Sequence, residues 1–306
     1  MSSCAIIPCY KVNELIFDRL REYKSYFDYL IIIDDACPTN IGQRLKTKFY
    51  NDPKIIIIIN KKNLGVGGAV MKGFELALKK NIDYLVKIDG DGQMDINDSI
   101  TLLDSLKKEK SLYSKGSRFL KGSVTNMPFF RRIGNKVINF IFNFLISNYE
   151  ISDPLNGYIA INSKVLNIIN LKDIKQGFLF ETNLLYEASK NNIKVKNFPV
   201  KITYSKDITS NFNTLIETFN FGNYFLKLSV LKVKSLLNLE NLRFSSIFIC
   251  IILYYLFNFF IMIFLYFFGY ILLNADIINN FYYFVMFMIF YILYDFLVHK
   301  FKLNEN

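Results

Sequence analysis

The chain has little histidine and little cysteine: one histidine and four cysteines. The cysteines Cys4, Cys9, Cys37 and Cys250 form no CxxC pair and lack the spacing of metal ligands. Cys4 and Cys9 flank an apolar run, which is typical of buried thiols in a reducing compartment. His299 follows the last apolar segment, and we exclude it as a catalytic residue.

The first residues, Met-Ser-Ser-Cys-Ala-Ile-Ile-Pro, lack the basic region and the long apolar core of a signal peptide. We therefore expect the N-terminal domain to stay in the cytoplasm. The formal net charge is +11, and the residues before Phe244 carry all of this excess, because the remaining residues have a net charge of −1. No basic helix or aromatic-basic motif stands out, so we do not expect a nucleic-acid partner. A basic domain joined to an apolar tail instead indicates an anionic membrane surface.

Charged residues are absent from Phe244–Leu273, which exceeds the roughly 20 residues that cross a bilayer. A second predicted span, Phe281–Val298, carries Asp295 near its end, where an interfacial, solvated carboxylate is expected. Cations flank the outer ends of the two spans, which places both termini in the cytoplasm. The alternative is a helical hairpin buried in a soluble protein. The phenylalanine-rich spans would also permit packing between protomers of a homo-oligomer.

Residues Asn211–Leu239 repeat apolar side chains at helical spacing with lysines between them. This pattern predicts one or two amphipathic helices in a membrane interface, or helices that pack on the protein's own core. The predicted organisation is a cytoplasmic domain at 1–210, juxtamembrane helices at 211–243 and a two-span anchor at 244–306.

Short apolar runs alternate with helical patterns over the first 200 residues. The predicted strands are Cys4–Pro8, Tyr29–Ile33, Lys54–Ile59 and Tyr84–Ile88. The predicted helices are Glu14–Tyr26, Ile41–Tyr50 and Gly67–Lys80, with a further apolar helix at Phe129–Leu145. This alternation predicts an α/β fold with a mainly parallel sheet and helices on both faces. The isoleucine-rich strand Lys54–Ile59 predicts that both of its faces are covered.

Polar or glycine-rich clusters follow all four strands, and the carboxyl ends of parallel strands are where ligands bind in such sheets. The clusters are Pro8-Cys9-Tyr10, Asp34-Asp35, Asn60–Gly68 and Asp89-Gly90-Asp91-Gly92-Gln93. Two carboxylates separated by one glycine can hold a hard divalent cation together with a diphosphate. A nicotinamide-dinucleotide turn is the rival interpretation, but its glycines normally follow the first strand.

These motifs, in this order and spacing, resemble family 2 glycosyltransferases over roughly residues 3–205. More narrowly, they resemble the dolichyl-phosphate mannosyltransferase-like branch, which makes polyprenyl-phosphate sugars. The two terminal spans resemble the membrane anchor of the bacterial enzymes of that branch. The resemblance implies a GT-A-like (Rossmann-like) domain and an inverting transfer from a nucleotide sugar.

The resemblance also implies roles for individual residues. Asp89, Asp91 and Gln93 would bind Mg²⁺ or Mn²⁺ that bridges the diphosphate of a UDP- or GDP-sugar. Residues expected to bind the nucleotide are Pro8, Tyr10, Glu14, Asp34, Asp35, Asn63, Gly65 and Asp89. Glu14 lies further from the tyrosine than the family's acidic residue does. One of Asp34 and Asp35 also suits the alternative role of a helix cap.

The catalytic candidates are Asp91, Arg118, Asp153 and Glu181. Asp153 lies in a segment that resembles the family's D-P-x-x-G-[FY] motif, expected below the sugar, and Glu181 is similar to the following acidic position. Arg118, Arg131 and Arg132 are the candidates for binding a lipid phosphate, since the arginine fork matches phosphate geometry.

Three hypotheses follow from the sequence. In the first, a polyprenyl phosphate, such as undecaprenyl or dolichyl phosphate, accepts the sugar for cell-surface glycan synthesis at the inner membrane. In the second, the acceptor is a hydroxyl of a lipid-linked glycan, and Asp153 or Glu181 is the base. In the third, the protein is a non-catalytic membrane scaffold that binds sugar nucleotides.

Overall fold

The structure is a computed structural model. It describes residues 1–92, 94–108, 111–120, 127, 129–146, 151–201, 220–229, 231–232 and 286. The side chains of residues 129–131 lie outside this description.

Seven strands form one sheet. They are β1 (Ser3–Cys9), β2 (Tyr29–Asp34), β3 (Ile55–Ile59), β4 (Tyr84–Lys87), β5 (Tyr113–Ser117), β6 (Ile159–Asn162) and β7 (Val195–Pro199). The helices are α1 (Leu15–Tyr23), α2 (Ile41–Lys48), α3 (Gly65–Lys79), α4 (Ile96–Lys107), α5 (Phe129–Ile146), α6 (Ser163–Ile168) and α7 (Phe180–Lys190). Two short 3-10 turns, Leu171–Asp173 and Gly177–Leu179, lie between α6 and α7. The predicted alternation of strands and helices is confirmed.

The strand order is β3-β2-β1-β4-β6-β5-β7. Strands β3, β2, β1 and β4 are parallel to one another, and β5 is parallel to β7. Strand β6 is antiparallel to both of its neighbours, β4 and β5. The carboxyl ends of β1, β2 and β4 therefore share one edge of the sheet with the segment that leads into β6.

Strand β3 differs from the sequence-based expectation. Ile55 is buried, but Ile56, Ile57, Ile58 and Ile59 are only partly buried. The prediction of two covered faces is wrong here because β3 is the outermost strand and lacks a neighbour on one side. Its isoleucine content fits the β propensity of a branched side chain, whatever the burial.

Helix α5 is confirmed and has two unlike faces. Phe142 is fully buried, whereas Ile133, Val137 and Phe140 are 44%, 50% and 42% exposed. These three side chains recur at helical spacing and so form one stripe. We call Ile133, Val137 and Phe140 the α5 stripe.

The chain divides into two compact units, Met1–Phe221 and Gly222–Asn306. The first unit contains all the elements named above. Residues 220–229 and 231–232, within the predicted amphipathic region, are helical. Among the residues that the structure describes, no helix is long and apolar enough to cross a membrane. Apart from Met286, which is helical, the predicted spans 244–273 and 281–298 lie outside those residues.

Candidate active site

The Asp89–Asp91 turn leaves the end of β4 and packs against the end of β1. The backbone N–H of Gly90 donates to the carbonyl of Pro8 at 3.3 Å. A Cβ on Gly90 would lie 2.8 Å from that same carbonyl oxygen, so only glycine permits this approach. Gly92 has a φ of +76°, a conformation that glycine adopts without strain. The two glycines of the motif thus hold both carboxylates at the edge of the sheet where the parallel strands β1, β2 and β4 end.

Lys87 is the buried centre of a cluster of charges beside this turn. Its side chain is 1% exposed, and its Nζ lies 2.7 Å from Asp89 Oδ1 and 2.9 Å from Glu181 Oε1. Nζ also donates to the carbonyl oxygen of Gly157 at 3.2 Å. Burial acts to lower the pKa of Lys87, but the carboxylates of Asp89 and Glu181 outweigh it and raise the pKa above its usual range. The lysine is therefore charged, and it joins β4 to α7.

Arg118 and Asp153 form a second buried ion pair. Arg118 Nε donates to Asp153 Oδ2 at 2.7 Å, and Nη2 donates to Oδ1 at 2.8 Å. The backbone N–H of Arg118 also donates to Oδ2, at 3.0 Å. The pair is bidentate, which is the stronger geometry for arginine and a carboxylate. Both oxygens of Asp153 are thus occupied by one residue.

Lys115, on β5, is a third buried cation, and its Nζ donates to the carbonyl of Asn156. Burial lowers its pKa to about 7, against the opposing influence of Asp153 and Glu181. Together with the Lys87 bond to Gly157, this bond means that two lysines hold consecutive carbonyls of one turn. We call residues 153–157 the cation-bound turn.

Asp34 and Asp35 both cap helices in the structure. Asp34 Oδ1 accepts from the N–H of Cys37 at 2.7 Å, and Oδ2 accepts from the N–H of Gly42 in α2 at 2.8 Å. Asp35 Oδ1 accepts from Asn60 Nδ2 at 2.7 Å and from the N–H of Leu64, before α3, at 3.0 Å. The capping role that suited one aspartate thus fits both, and their nucleotide-binding role stays a prediction.

The glycines that open α3 lie close to the segment before α7. A Cβ on Gly67 would lie 2.7 Å from Phe180 Cβ, and one on Gly68 would lie 2.6 Å from Leu64 Cβ. Gly67 and Gly68 are therefore explained by packing, whereas the sequence suggested approach to a ligand. Gly65, at φ +75°, and Asn63, which accepts the Gly65 N–H at 2.8 Å, form the start of the helix.

The remaining nucleotide candidates follow β1. Pro8 and Tyr10 are half-buried, and the ammonium of Lys11 lies 5.5 Å from the centre of the Tyr10 ring. Glu14 is exposed and pairs with Arg44 at 2.7 Å. The hydrogen bond from Arg44 is the main reason that the pKa of Glu14 is lowered. The structure thus gives Glu14 a partner on α2 rather than a place among the buried charges.

The arginines predicted to bind lipid phosphate lie in different surroundings. Arg118 is buried against Asp153, whereas Arg132 is exposed on α5. Arg131 belongs to α5, but its side chain lies outside the described residues, as does Gln93 of the predicted metal site.

The residues at the turn fit a divalent cation. A Cβ on Gly157 would lie 3.0 Å from Asp89 Oδ2, so the absence of a side chain on Gly157 leaves space beside this oxygen. Within the described ranges, no group of three or more His, Cys, Asp or Glu side chains could hold a metal ion. Mg²⁺ commonly takes one or two carboxylates and completes its shell with substrate phosphates and water. Asp89 and Asp91 match this donor set.

Sequence reasoning missed Lys87 and Lys115. Both lie in short strands, Tyr84–Lys87 and Tyr113–Ser117, and a lysine in a short strand resembles a surface residue of an edge strand. The available signal was the position of Lys87 two residues before Asp89, which places both side chains on the same face of an extended strand. Its partner Glu181 lies 94 residues away, and no local pattern links the two.

Comparison with known proteins identifies the class. The sequence profile described as "Glycosyl transferase family 2" matches residues 4–169. The chain is 26% identical over 215 residues to a UDP-N-acetylglucosamine–dolichyl-phosphate N-acetylglucosaminyltransferase of Methanococcus voltae, covering 66% of this chain and 85% of the relative. It is 28% identical over 204 residues to a polyprenol monophosphomannose synthase of Mycolicibacterium smegmatis, covering 65% and 76%.

A solved structure shows the same fold. Glucosyl-3-phosphoglycerate synthase from Mycobacterium tuberculosis, in complex with Mn²⁺, UDP and phosphoglyceric acid, aligns with a TM-score of 0.56 at 14% identity, covering 76% of this chain and 78% of that one. The protein therefore has a GT-A-like α/β fold with a mixed, mostly parallel sheet. It belongs to glycosyltransferase family 2. It is an enzyme, which excludes the hypothesis of a non-catalytic scaffold.

Proposed function

We propose that this glycosyltransferase moves a sugar from a nucleotide diphosphate sugar to a polyprenyl phosphate at the cytoplasmic face of a membrane. The observation that carries the proposal is that Asp153 and Glu181, the two carboxylates predicted as possible bases, are both ion-paired. Asp153 is bound through both oxygens by Arg118, and Glu181 is bound by Lys87. The names of the two relatives, which act on dolichyl phosphate and form polyprenol monophosphomannose, support the same acceptor.

On the donor side, the Asp89–Asp91 turn would bind a divalent cation, Mg²⁺ or Mn²⁺. When bound, the cation would hold the donor diphosphate and act as a Lewis acid on the leaving group. Tyr10 would face the base of the nucleotide. Asn63 and Gly65 would present the N-terminus of α3 to ribose or phosphate oxygens.

On the acceptor side, a phosphate monoester needs no protein base, because its second pKa lies near 6 and its oxygen is anionic at pH 7. That oxygen would attack the anomeric carbon in line and form the new carbon–oxygen bond. The bond to the diphosphate breaks at the same carbon, and its electron pair leaves with the nucleoside diphosphate. The configuration inverts, and no proton has to be transferred to Asp153 or Glu181.

A hydroxyl acceptor on a lipid-linked glycan is the competing function. A hydroxyl must lose a proton, so it would require a carboxylate free to accept one. Glu181 would have to accept that proton while its Oε1 lies 2.9 Å from the Nζ of Lys87. The ion pairs therefore favour the phosphate acceptor.

The membrane setting is also part of the proposal. Arg132 and Lys136 are exposed on α5 beside the α5 stripe, a combination of cations and apolar side chains that suits a lipid interface. The predicted spans 244–273 and 281–298 would anchor the chain in the inner membrane, with both termini in the cytoplasm.

The test is a transfer assay with the full chain in vesicles. The assay supplies Mn²⁺ or Mg²⁺, radiolabelled UDP- and GDP-sugars in turn, and either undecaprenyl phosphate or a lipid-linked saccharide. We expect label in the organic phase with undecaprenyl phosphate and one donor class. Product only with the saccharide would establish the competing function. Folded protein that yields no lipid-linked product from any donor contradicts the proposal.

A further inference from the structure

Lys87 has an arrangement that the proposed reaction does not itself require. An ammonium group has three N–H donors, and Lys87 Nζ has three acceptors: Asp89 Oδ1, Glu181 Oε1 and the Gly157 carbonyl. The side chain is 1% exposed, so it is shielded from the solvent and from a bound donor. Its charge therefore acts on the protein's own groups.

The three acceptors belong to three separate parts of the site. Asp89 starts the turn after β4, Glu181 lies in the first turn of α7, and Gly157 ends the cation-bound turn. A Cβ on Gly157 would lie 2.5 Å from Lys87 Nζ, so the site is shaped around the lysine. One ammonium group thus sets the spacing between a predicted metal ligand and a predicted sugar contact.

The electrostatics lead to the same conclusion. Asp89 Oδ1 and Glu181 Oε1 lie 2.7 Å and 2.9 Å from the same Nζ, so the two carboxylates meet at one ammonium group. Like charges at such separations repel strongly in a partly buried site. Without a cation between them, the carboxylates of Asp89 and Glu181 would move apart.

We infer that Lys87 is a positioning residue that fixes Asp89 Oδ1, so that Asp89 Oδ2 is held in place for the metal–diphosphate of the donor. The inference rests on the proposed donor site and adds to it a residue that touches neither metal nor substrate. It also links the donor carboxylate to the sugar-facing carboxylate Glu181 through a single side chain.

The experiment measures Mn²⁺ affinity in the presence of UDP or GDP, from the electron paramagnetic resonance signal of free Mn²⁺, together with the melting temperature. We expect Lys87→Met to weaken Mn²⁺–nucleotide binding at least tenfold and to lower the melting temperature. Glu181→Gln keeps the Lys87–Asp89 contact and should bind within about threefold of wild type. Lys24→Met removes another ion-paired lysine, the partner of Asp52, and should leave Mn²⁺ binding unchanged.

The double variant Lys87→Met/Glu181→Gln separates positioning from simple stabilisation. It removes the repulsion between the carboxylates, so the melting temperature should recover while Mn²⁺ affinity stays at least tenfold below that of Glu181→Gln alone. Recovery of both would overturn the inference, as would wild-type binding by Lys87→Met. If Lys87→Met does not fold, the Mn²⁺ affinity of the double variant is compared with that of Glu181→Gln, and this comparison tests the inference. Wild-type protein that binds no Mn²⁺ with either nucleotide overturns the proposed donor site itself.

Discussion

At the scale of residues, the site is a set of buried charges that balance one another. Lys87 and Arg118 are charged partners of carboxylates, whereas Lys115 donates to the carbonyl of Asn156 and has a pKa of about 7. Buried ion pairs contribute little net stability compared with apolar packing, but breaking one is costly. Lys87 lies beside the Asp89–Asp91 turn, so its charge can act on the carboxylates of that turn.

Asp91→Asn should reduce sugar transfer at least 100-fold, because an amide oxygen carries no net charge for the metal–diphosphate. The melting temperature should change little, because Asp91 is partly exposed. Initial rates at saturating donor measure the effect. Asp18→Asn, which alters an exposed aspartate paired with Arg21, is the control and should keep full activity. Full activity of Asp91→Asn would show that Asp91 is not a metal ligand.

Arg118→Met should lower the free energy of unfolding by about 3 kcal/mol, because it leaves Asp153 buried without its partner. The double variant Arg118→Met/Asp153→Leu should be more stable than the single one, since it removes both charges. Urea denaturation measures both values. A single variant as stable as wild type would mean that the pair is not buried as described.

The lowered pKa of Lys115 predicts that the free energy of unfolding depends on pH. The unfolded chain keeps Lys115 protonated to about pH 10.5, whereas burial lowers the folded-state pKa to about 7. Between these values the unfolded state binds more protons, so the free energy of unfolding rises with pH. The folded-state pKa of Lys87 is raised, so Lys87 stays charged in both states here and does not change the slope.

We expect Lys115 to contribute a rise of ~1 kcal/mol per pH unit between pH 7.5 and 8.5. Urea denaturation across this range measures it in wild type and in Lys115→Met, which should lack the contribution. Equal slopes in the two proteins would show that Lys115 is charged when folded.

At the scale of elements, the start of α3 depends on contact with the segment that precedes α7. Gly67→Ala should cost about 1–3 kcal/mol, because the new methyl would lie 2.7 Å from Phe180 Cβ and 2.9 Å from the Lys175 carbonyl. Gly134→Ala is the matched control. Gly134 lies in α5 with nothing within 4 Å of an added Cβ, so the change should stabilise the helix by up to about 1 kcal/mol. Thermal melting compares the two.

Much of this architecture was predictable at the element scale, because parallel strands produce apolar runs followed by polar clusters. Strands β5, β6 and β7 were not recognised. They are short, and Ile159–Asn162, for example, resembles any brief apolar run. The pairing of Asp153 with Arg118 was equally hidden, because the two residues carried separate predicted roles. Ion pairs that join distant segments depend on three-dimensional packing, and local periodicity contains no information about them.

At the scale of the whole molecule, the excess positive charge favours an anionic bilayer, to which each lysine or arginine near the surface contributes about 1 kcal/mol. Replacing Arg132 and Lys136 by glutamate should raise the KM for polyprenyl phosphate at least tenfold in anionic vesicles and much less in neutral ones. The control, Lys46→Glu/Lys79→Glu, makes the same charge change on exposed residues of α2 and α3. If both double variants raised the KM for polyprenyl phosphate equally, the net charge of the protein would determine the effect, and the position of the two cations on α5 would not.

The strand order also has a consequence for biosynthesis. Strands β1 to β4 are complete once residue 87 has been made, and they pair only with one another and with β6. The other half of the sheet can form only after β5, β6 and β7 have been made. Glu181 lies in α7 and can pair with Lys87 only after that part of the chain has also been made. We therefore expect strands β1 to β4 to begin folding while the chain is still on the ribosome. Until residue 181 has been made, a nascent chain has the Asp89–Asp91 turn without the Lys87–Glu181 ion pair.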